Sequence, residues 1–366
     1  MTFVSAGRTT TQPAIAEFQI GDANHPILIP AEWKGKKGYF ILDTGSATSL
    51  LDTFAFNDLK ECNQKIEVLT PSGEQEQELY EPPDLAIGPI NLRDSVMVGL
   101  VDFTEWNHRI GKPIYGCLGA TALMKFVLQI DFDNRVVRLF SPNYDAHPDW
   151  GREFGFQGVG GVPAIMVRLS DGEYPFRLDT GFLGEDIAMP MVGFNRALAS
   201  MRATPITDGA LTFAGYTTVR YMRWPVFPAL GWNYRNLILQ DTEGNSGAFG
   251  LSFLSRHMIT FDFPRYIFYA KAGLQFDRQS ELDMSGLTIE RVASHVVGTV
   301  TEGSPAYQAG IRDGDVILSV DGKAAKDWDI CNLSAFLRSQ DGREISVSFW
   351  RDGETQNVTF KLRRRL

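Results

Sequence analysis

The sequence predicts a mostly β protein, built from two copies of one β-rich lobe and followed by a smaller α+β domain. Three observations predict it: four sequence blocks that recur in order, short apolar runs cut by turn residues, and a change of pattern near Phe276. The run from Tyr39 to Ser46, YFILDTGS, returns as PFRLDTGF from Pro175 to Phe182, with Asp43 and Asp179 136 positions apart. LTPSG (69–73) returns as LTFAG (211–215), and LRDSVMV (92–98) as YRNLIL (234–239), both 142 positions on. GCLGATALMKFVLQIDF (116–132) returns as GAFGLSFLSRHMITFDF (247–263), with Gly119 and Gly250 131 apart. Four blocks in one order with small insertions are a duplication.

Within the first copy, the apolar runs Ile27–Ile29, Tyr39–Leu42, Phe126–Ile130 and Val136–Phe140 read as strands, each bounded by Gly, Pro, Asn or Asp. Ala120–Met124 reads as a short helix. Gly158, Gly160 and Gly161 form a Gly-rich turn read as the linker between copies, since no GxGxxG here opens a helix. In the second copy Ala164–Leu169, Met258–Phe263 and Tyr266–Tyr269 read as strands and Leu251–Arg256 as helical. The remainder has no copy elsewhere. It reads as a helix started by Ser304-Pro305-Ala306, a helix at Cys331–Ser339, and alternating strands at Ile345–Trp350 and Gln356–Leu362. The expected domains are therefore 1–150, 151–277 and 278–366.

Composition bounds the function. Hydrophobic residues make up 44% and charged residues 22% of 366, which excludes a disordered or collagenous chain. The net charge of -9 argues against a broad nucleic-acid or anionic-membrane surface. Cys62, Cys117 and Cys331 are odd in number and far apart, so no disulfide framework and no CxxC metal spacing is expected. His25, His108, His147, His257 and His295 form no HExxH pair, and no metal or cofactor is expected. Cys117, in an apolar run, reads as a small core residue, and the absence of GxSxG leaves serine chemistry without support. No apolar run approaches the roughly 20 residues that span a bilayer. The first residues lack the apolar core of a secretory signal. The expectation is a soluble chain, exported if a signal was removed and otherwise cytoplasmic.

The apolar run before each Asp-Thr-Gly carries that turn into the protein, where an isolated carboxylate is costly. Glycine lets backbone amides approach the carboxylate, and threonine supplies a hydroxyl able to bond across to the other copy. A pseudo-twofold axis brings Asp43 and Asp179 to one interface. Two carboxyls in hydrogen-bonding reach share a proton and titrate as a pair. One is then a base toward water while the other polarises a carbonyl.

On these residues, 20–275 resemble the pepsin and retropepsin superfamily of aspartic proteases, in a single-chain, two-lobed, retropepsin-like form. The resemblance implies β-barrel lobes of acid-protease type, Asp43 and Asp179 as catalytic residues, and Thr44 and Thr180 as a cross-lobe lock. It implies Gly45, Ser46 and Gly181 as loop support, with Gly119 and Gly250 in the apolar-apolar-Gly motifs beneath. It places flap tips at Ser72-Gly73 and Ala214-Gly215, with Tyr80 and Tyr216 as candidate flap tyrosines. Two departures stand out. Phe182 occupies a position where the family carries a small residue, so it either shapes a subsite or crowds the pair. Glu74 to Glu78 is strongly polar and reads as the solvated face of a hairpin.

The run GSPAYQAGIRDGDVILSVDGK (303–323) resembles PDZ domains of bacterial proteases. That implies peptide binding by strand addition, of a C-terminus or an internal strand, with Gly286, Leu287, Thr288 and Ile289 as the carboxylate loop and following strand and Ile330–Ser339 flanking the groove. An internal brace is the other use such a domain has. Arg363-Arg364-Arg365 reads as a solvated end. The functional expectation is an aspartic endopeptidase with an active site formed within one chain, a peptide or protein substrate, and an acidic bell-shaped pH profile. The alternative is an inactive peptide-binding adaptor of the same fold.

Overall fold

The computed structural model describes residues 13–23, 25–70, 73–145, 148–212, 215–292 and 295–366. The described chain is mostly β. In the first copy a seven-stranded sheet runs, edge to edge, Leu28–Trp33, Lys36–Leu42, Ile114–Leu118, Leu50–Asp52, Val98–Val101, Gly73–Tyr80, Glu61–Thr70. In the second, Val162–Leu169, Gly172–Leu178, Gly247–Phe249, Ile187–Pro190, Trp232–Thr242, Gly215–Ala229 and Ile206–Thr212 follow the same order, with Gln157–Val159 added at one edge.

The strand before each Asp-Thr-Gly lies parallel to the strand of the later block: Ile41 beside Cys117 and Leu42 beside Leu118, Arg177 beside Ala248 and Leu178 beside Phe249. Parallel strands covered on both faces need continuous apolar runs rather than alternation, and this is why FIL and GCL appear where they do. Cys117 is fully buried among Leu28, Ile41 and Phe103.

A third sheet joins the copies. Val127–Asp131 and His257–Asp262 pair antiparallel at its centre, Ile130 opposite Ile259, flanked by Val136–Phe140 and Ile267–Ala272 and then by Ala16–Gln19 and Arg152–Gly155. One continuous apolar core serves both copies, including Phe40, Leu118, Phe176 and Phe249. From Met284 onward a second core takes over, centred on Ile317, Leu333, Val347 and Phe349. Its sheet runs Leu287–Val292, His295–Val300, Val316–Val320, Glu344–Arg351, Glu354–Lys361. Its helices begin at side-chain caps. Ser304 caps Pro305–Gln308 by accepting from the Tyr307 amide, and Asp329 caps Ile330–Leu337 by accepting from the Asn332 amide.

Two sequence expectations change. Gly160 and Gly161, at φ 59° and 82°, form the tight turn of a hairpin within the second sheet, between Gln157–Val159 and Val162–Leu169, and do not link the copies. The arginine tail is exposed at Arg363 and Arg364 but not at the Arg365 side chain. Arg364 pairs with Glu281, and Arg365, 9% exposed, donates to Asp208 Oδ2 at 2.7 Å. Among the described residues no helix is long and apolar enough to cross a membrane.

Candidate functional site

The two Asp-Thr-Gly turns meet between the copies. Each threonine hydroxyl accepts the other turn's amide, Thr44 N–H to Thr180 Oγ1 at 3.0 Å and Thr180 N–H to Thr44 Oγ1 at 3.1 Å. Each hydroxyl in turn donates across the axis, Thr44 to the Leu178 carbonyl at 2.5 Å and Thr180 to the Leu42 carbonyl at 2.8 Å. Both threonines are fully buried, so every donor and acceptor of the lock is used where an unmade bond would be expensive.

Within each turn the carboxylate accepts two backbone amides. Asp43 Oδ1 takes Gly45 N–H at 2.9 Å and Ser46 N–H at 3.1 Å, and Asp179 Oδ1 takes Gly181 N–H at 3.1 Å and Phe182 N–H at 2.9 Å. Gly45 backs onto the Asp179 carboxyl and Gly181 onto that of Asp43, so a Cβ on either glycine would collide with the partner acid. Below the turns, Asp43 N–H donates to the Leu118 carbonyl and Asp179 N–H to that of Phe249, each at 3.0 Å, and Gly119 and Gly250 start the short helices Ala120–Leu123 and Leu251–Leu254.

The carboxyls are 7% and 8% exposed. Burial, then the neighbouring Asp179 charge, pushes Asp43 up to about 7. Burial also raises Asp179, against Arg177, the loop amides and a hydrogen bond with Asp43. Raised together, the two carboxyls favour keeping one proton on the pair toward neutral pH.

Three features were not read from the sequence. Arg177 lies with a guanidinium nitrogen 3.9 Å from Asp179 Oδ2, where the first copy has Ile41. Beneath the second turn, buried Asp186 accepts from Arg256 at 3.2 Å, Ser252 at 3.0 Å, Ile238 N–H at 3.1 Å and Ser280. Burial opposes its ionisation, but Arg256 and these donors hold its carboxyl below the usual range. Beside it, Glu185 meets Arg338 of the third domain at 2.9 Å, with burial raising the acid against that guanidinium. The available signal was a pair of acids, Glu185-Asp186, a few residues after the second Asp-Thr-Gly, where the segment after the first turn carries none before Asp52.

Phe182 does not crowd the pair. Its ring lies against Gly184 and Gly250, where a Cβ on either glycine would strike it. The hairpins of Glu61–Thr70 with Gly73–Tyr80 and Ile206–Thr212 with Gly215–Ala229 close at Thr70 opposite Gly73 and Thr212 opposite Gly215. The expected tip residues Ser72 and Ala214, and the Tyr216 side chain, lie outside the described residues. Glu76 and Glu78 are exposed near Lys65, at 3.0 and 3.9 Å.

In the third domain Gly286 adopts φ 77° and starts the strand Leu287–Val292, which carries Thr288 and Ile289. The amides of Ser285, Gly286 and Leu287 all donate to Asp283 Oδ1, so the chain's own carboxylate occupies the place expected for a peptide terminus. Helix Thr104–Ile110 of the first copy packs against both Leu287–Val292 and Ile330–Leu337, the two elements that frame the groove.

Residues 296–351 match the PDZ domain family. A protein of Lactococcus lactis subsp. lactis named as a zinc metalloprotease is 30% identical over 66 residues, 18% of this chain and 15% of the relative. One of Neisseria meningitidis serogroup A, named likewise, is 34% identical over 67 residues, 18% of this chain and 14% of the relative. The photosystem II D1 C-terminal processing protease covers 26% of each chain at 27% identity, with a TM-score of 0.23. The chain thus spans about a seventh of the curated relatives' length.

These names correct the expectation of an aspartic endopeptidase. The curated relatives are named as zinc metalloproteases, a different protease class. A paired-carboxyl turn specifies where a proton sits, and reaction class does not follow from that geometry alone. The zinc of those names does not fit the carboxyl pair. A catalytic zinc needs three protein ligands, and the described residues bring no third metal-ligating group to Asp43 and Asp179.

Proposed function

We propose that this chain is a peptide-handling protein of hydrolase type with a peptide-binding PDZ domain, and that Asp43 and Asp179 are its reactive groups. The observation that carries the reading is the buried carboxyl pair, held by reciprocal threonine bonds and backed by Gly45 and Gly181. Such a pair offers a proton donor and a proton acceptor at one point between the copies. The shared strand order supports reading the copies as duplicated acid-protease-type barrel lobes, 1–150 and 151–277, followed by the PDZ domain at 278–366. Gly119, Gly250 and Ser46 support the loops in this reading, and the hairpins ending near Gly73 and Gly215 cover the cleft.

The test is digestion of a fluorogenic peptide library by the purified full chain, its Asp43→Asn and Asp179→Asn variants, and the full chain with a metal chelator. The reading expects product from the parent chain and at least ~100-fold less from either variant. Undiminished product from either variant, or loss only with chelator, would move the chemistry away from the pair.

A further inference from the structure

Outside the carboxyl pair, the described residues gather one other group of metal-ligating side chains. His25, Asp329 and Cys331 present Nε2, a carboxylate oxygen and Sγ within 4.8 Å of one another. The three come from opposite sides of a domain junction. His25 belongs to the loop between the strands Ala16–Gln19 and Leu28–Trp33 of the first copy, and Asp329 and Cys331 lie at the start of the PDZ helix Ile330–Leu337. We propose that this cluster binds a zinc-type divalent cation that clips the PDZ domain to the first copy.

Imidazole, carboxylate and thiolate together suit zinc or cobalt(II) better than magnesium or calcium, which take oxygen ligands. His25 Nε2 and Asp329 Oδ1 stand 3.0 Å apart. Tetrahedral bonds of about 2.0–2.2 Å would put two such ligands roughly 3.3 Å apart, so this edge of the polyhedron is already formed. The thiol needs to approach by on the order of 1 Å, within reach of a χ1 adjustment.

The imidazole is also oriented. Its Nδ1 lies 2.8 Å from Asp22 Oδ1, the carboxylate–histidine arrangement that fixes the tautomer and leaves Nε2 to the metal. Asp329 is held in turn by accepting the Asn332 amide at 3.0 Å. Binding as thiolate releases the Cys331 thiol proton to solvent as the S–metal bond forms. Three protein ligands leave a fourth position for water.

The site lies beside the contact of helix Thr104–Ile110 with the PDZ groove elements. A bound cation would hold that contact, and its removal would free the groove.

The experiment titrates cobalt(II), then zinc, into the metal-free full chain and reads stoichiometry, the thiolate-to-cobalt charge-transfer band, and amide exchange of Leu287–Val292. One cation per chain is expected, with a charge-transfer band that Cys331→Ser removes and Cys62→Ser retains. His25→Gln is expected to weaken binding at least ~10-fold. Metal binding is expected to slow exchange of that strand. No stoichiometric binding, or a band indifferent to Cys331→Ser, overturns the site. Binding without any change in exchange overturns the clip.

Discussion

Beneath Asp43 the chain places Ser49 and Leu50 and, in the later block, Lys125. Beneath Asp179 it places Glu185, Asp186 and, in the later block, Arg256. The first set is ordinary: Ser49 accepts the Gly119 amide at 3.0 Å, Leu50 is apolar, and Lys125 is an exposed partner of Asp94. The second set is a buried charged network, with Asp186 and Arg256 0% and 2% exposed, that reaches Arg338 and Ser280 outside the second copy. Yet the turns above are bonded alike, with matching amide and threonine contacts. The duplication preserved the geometry of the acids and let the foundations diverge. Among the described residues the second foundation also reaches Arg338 of the third domain and Ser280.

The sharpest way to break this contrast is to substitute the two matched basic residues. Arg256→Met leaves Asp186 buried without its cation and is expected to cost about 3–5 kcal/mol. Lys125→Met, losing a surface pair, is expected to cost about 0–0.5 kcal/mol. Urea unfolding of both variants checks this, and equal costs would show that the two foundations do not differ energetically.

A smaller effect sharpens the account of the acids themselves. Asp43 titrates near 7 in the folded chain and near 3.8 when unfolded. The native state thus binds more protons between those limits, and stability falls as pH rises from about 4 to about 7. His257 works the other way. Burial lowers it from 6.5 to about 4, so its contribution is lost as pH falls through that range. Because His257 is common to both proteins, the stability of the parent chain minus that of Asp43→Asn removes its contribution and leaves that of the coupled acids. The difference should be level below about pH 4, decline by a few kcal/mol to about pH 7, and level again. A flat difference curve from urea midpoints would contradict the raised acid.

Much of the fold was legible because the turns and the continuous apolar strands leave local signals. Asp-Thr-Gly, its preceding apolar run and the Gly119 and Gly250 motifs each sit within a few residues of what they build. Ser304-Pro305 is similarly local. Long-range pairings carry no such spacing. His25 meets Asp329 across 304 positions, and Arg338 meets Glu185 only because a third domain docks there. Arg177 was visible as a charge inside an apolar run, but its approach to Asp179 depends on the strand's register. The Gly160-Gly161 turn was misread because glycine marks a turn without saying which strands it joins. Arg365 looked solvated because its partner Asp208 lies 157 positions away.

The central claim is that one proton is held between Asp43 and Asp179 near neutral pH. Carboxyl-carbon NMR of the full chain, assigned with Asp43→Asn and Asp179→Asn, measures this directly across the pH range. The account predicts coupled titration, with one carboxyl still protonated well above the ordinary aspartate range and its last proton leaving near pH 7. Two independent carboxylates, both ionised by pH 5, would contradict it.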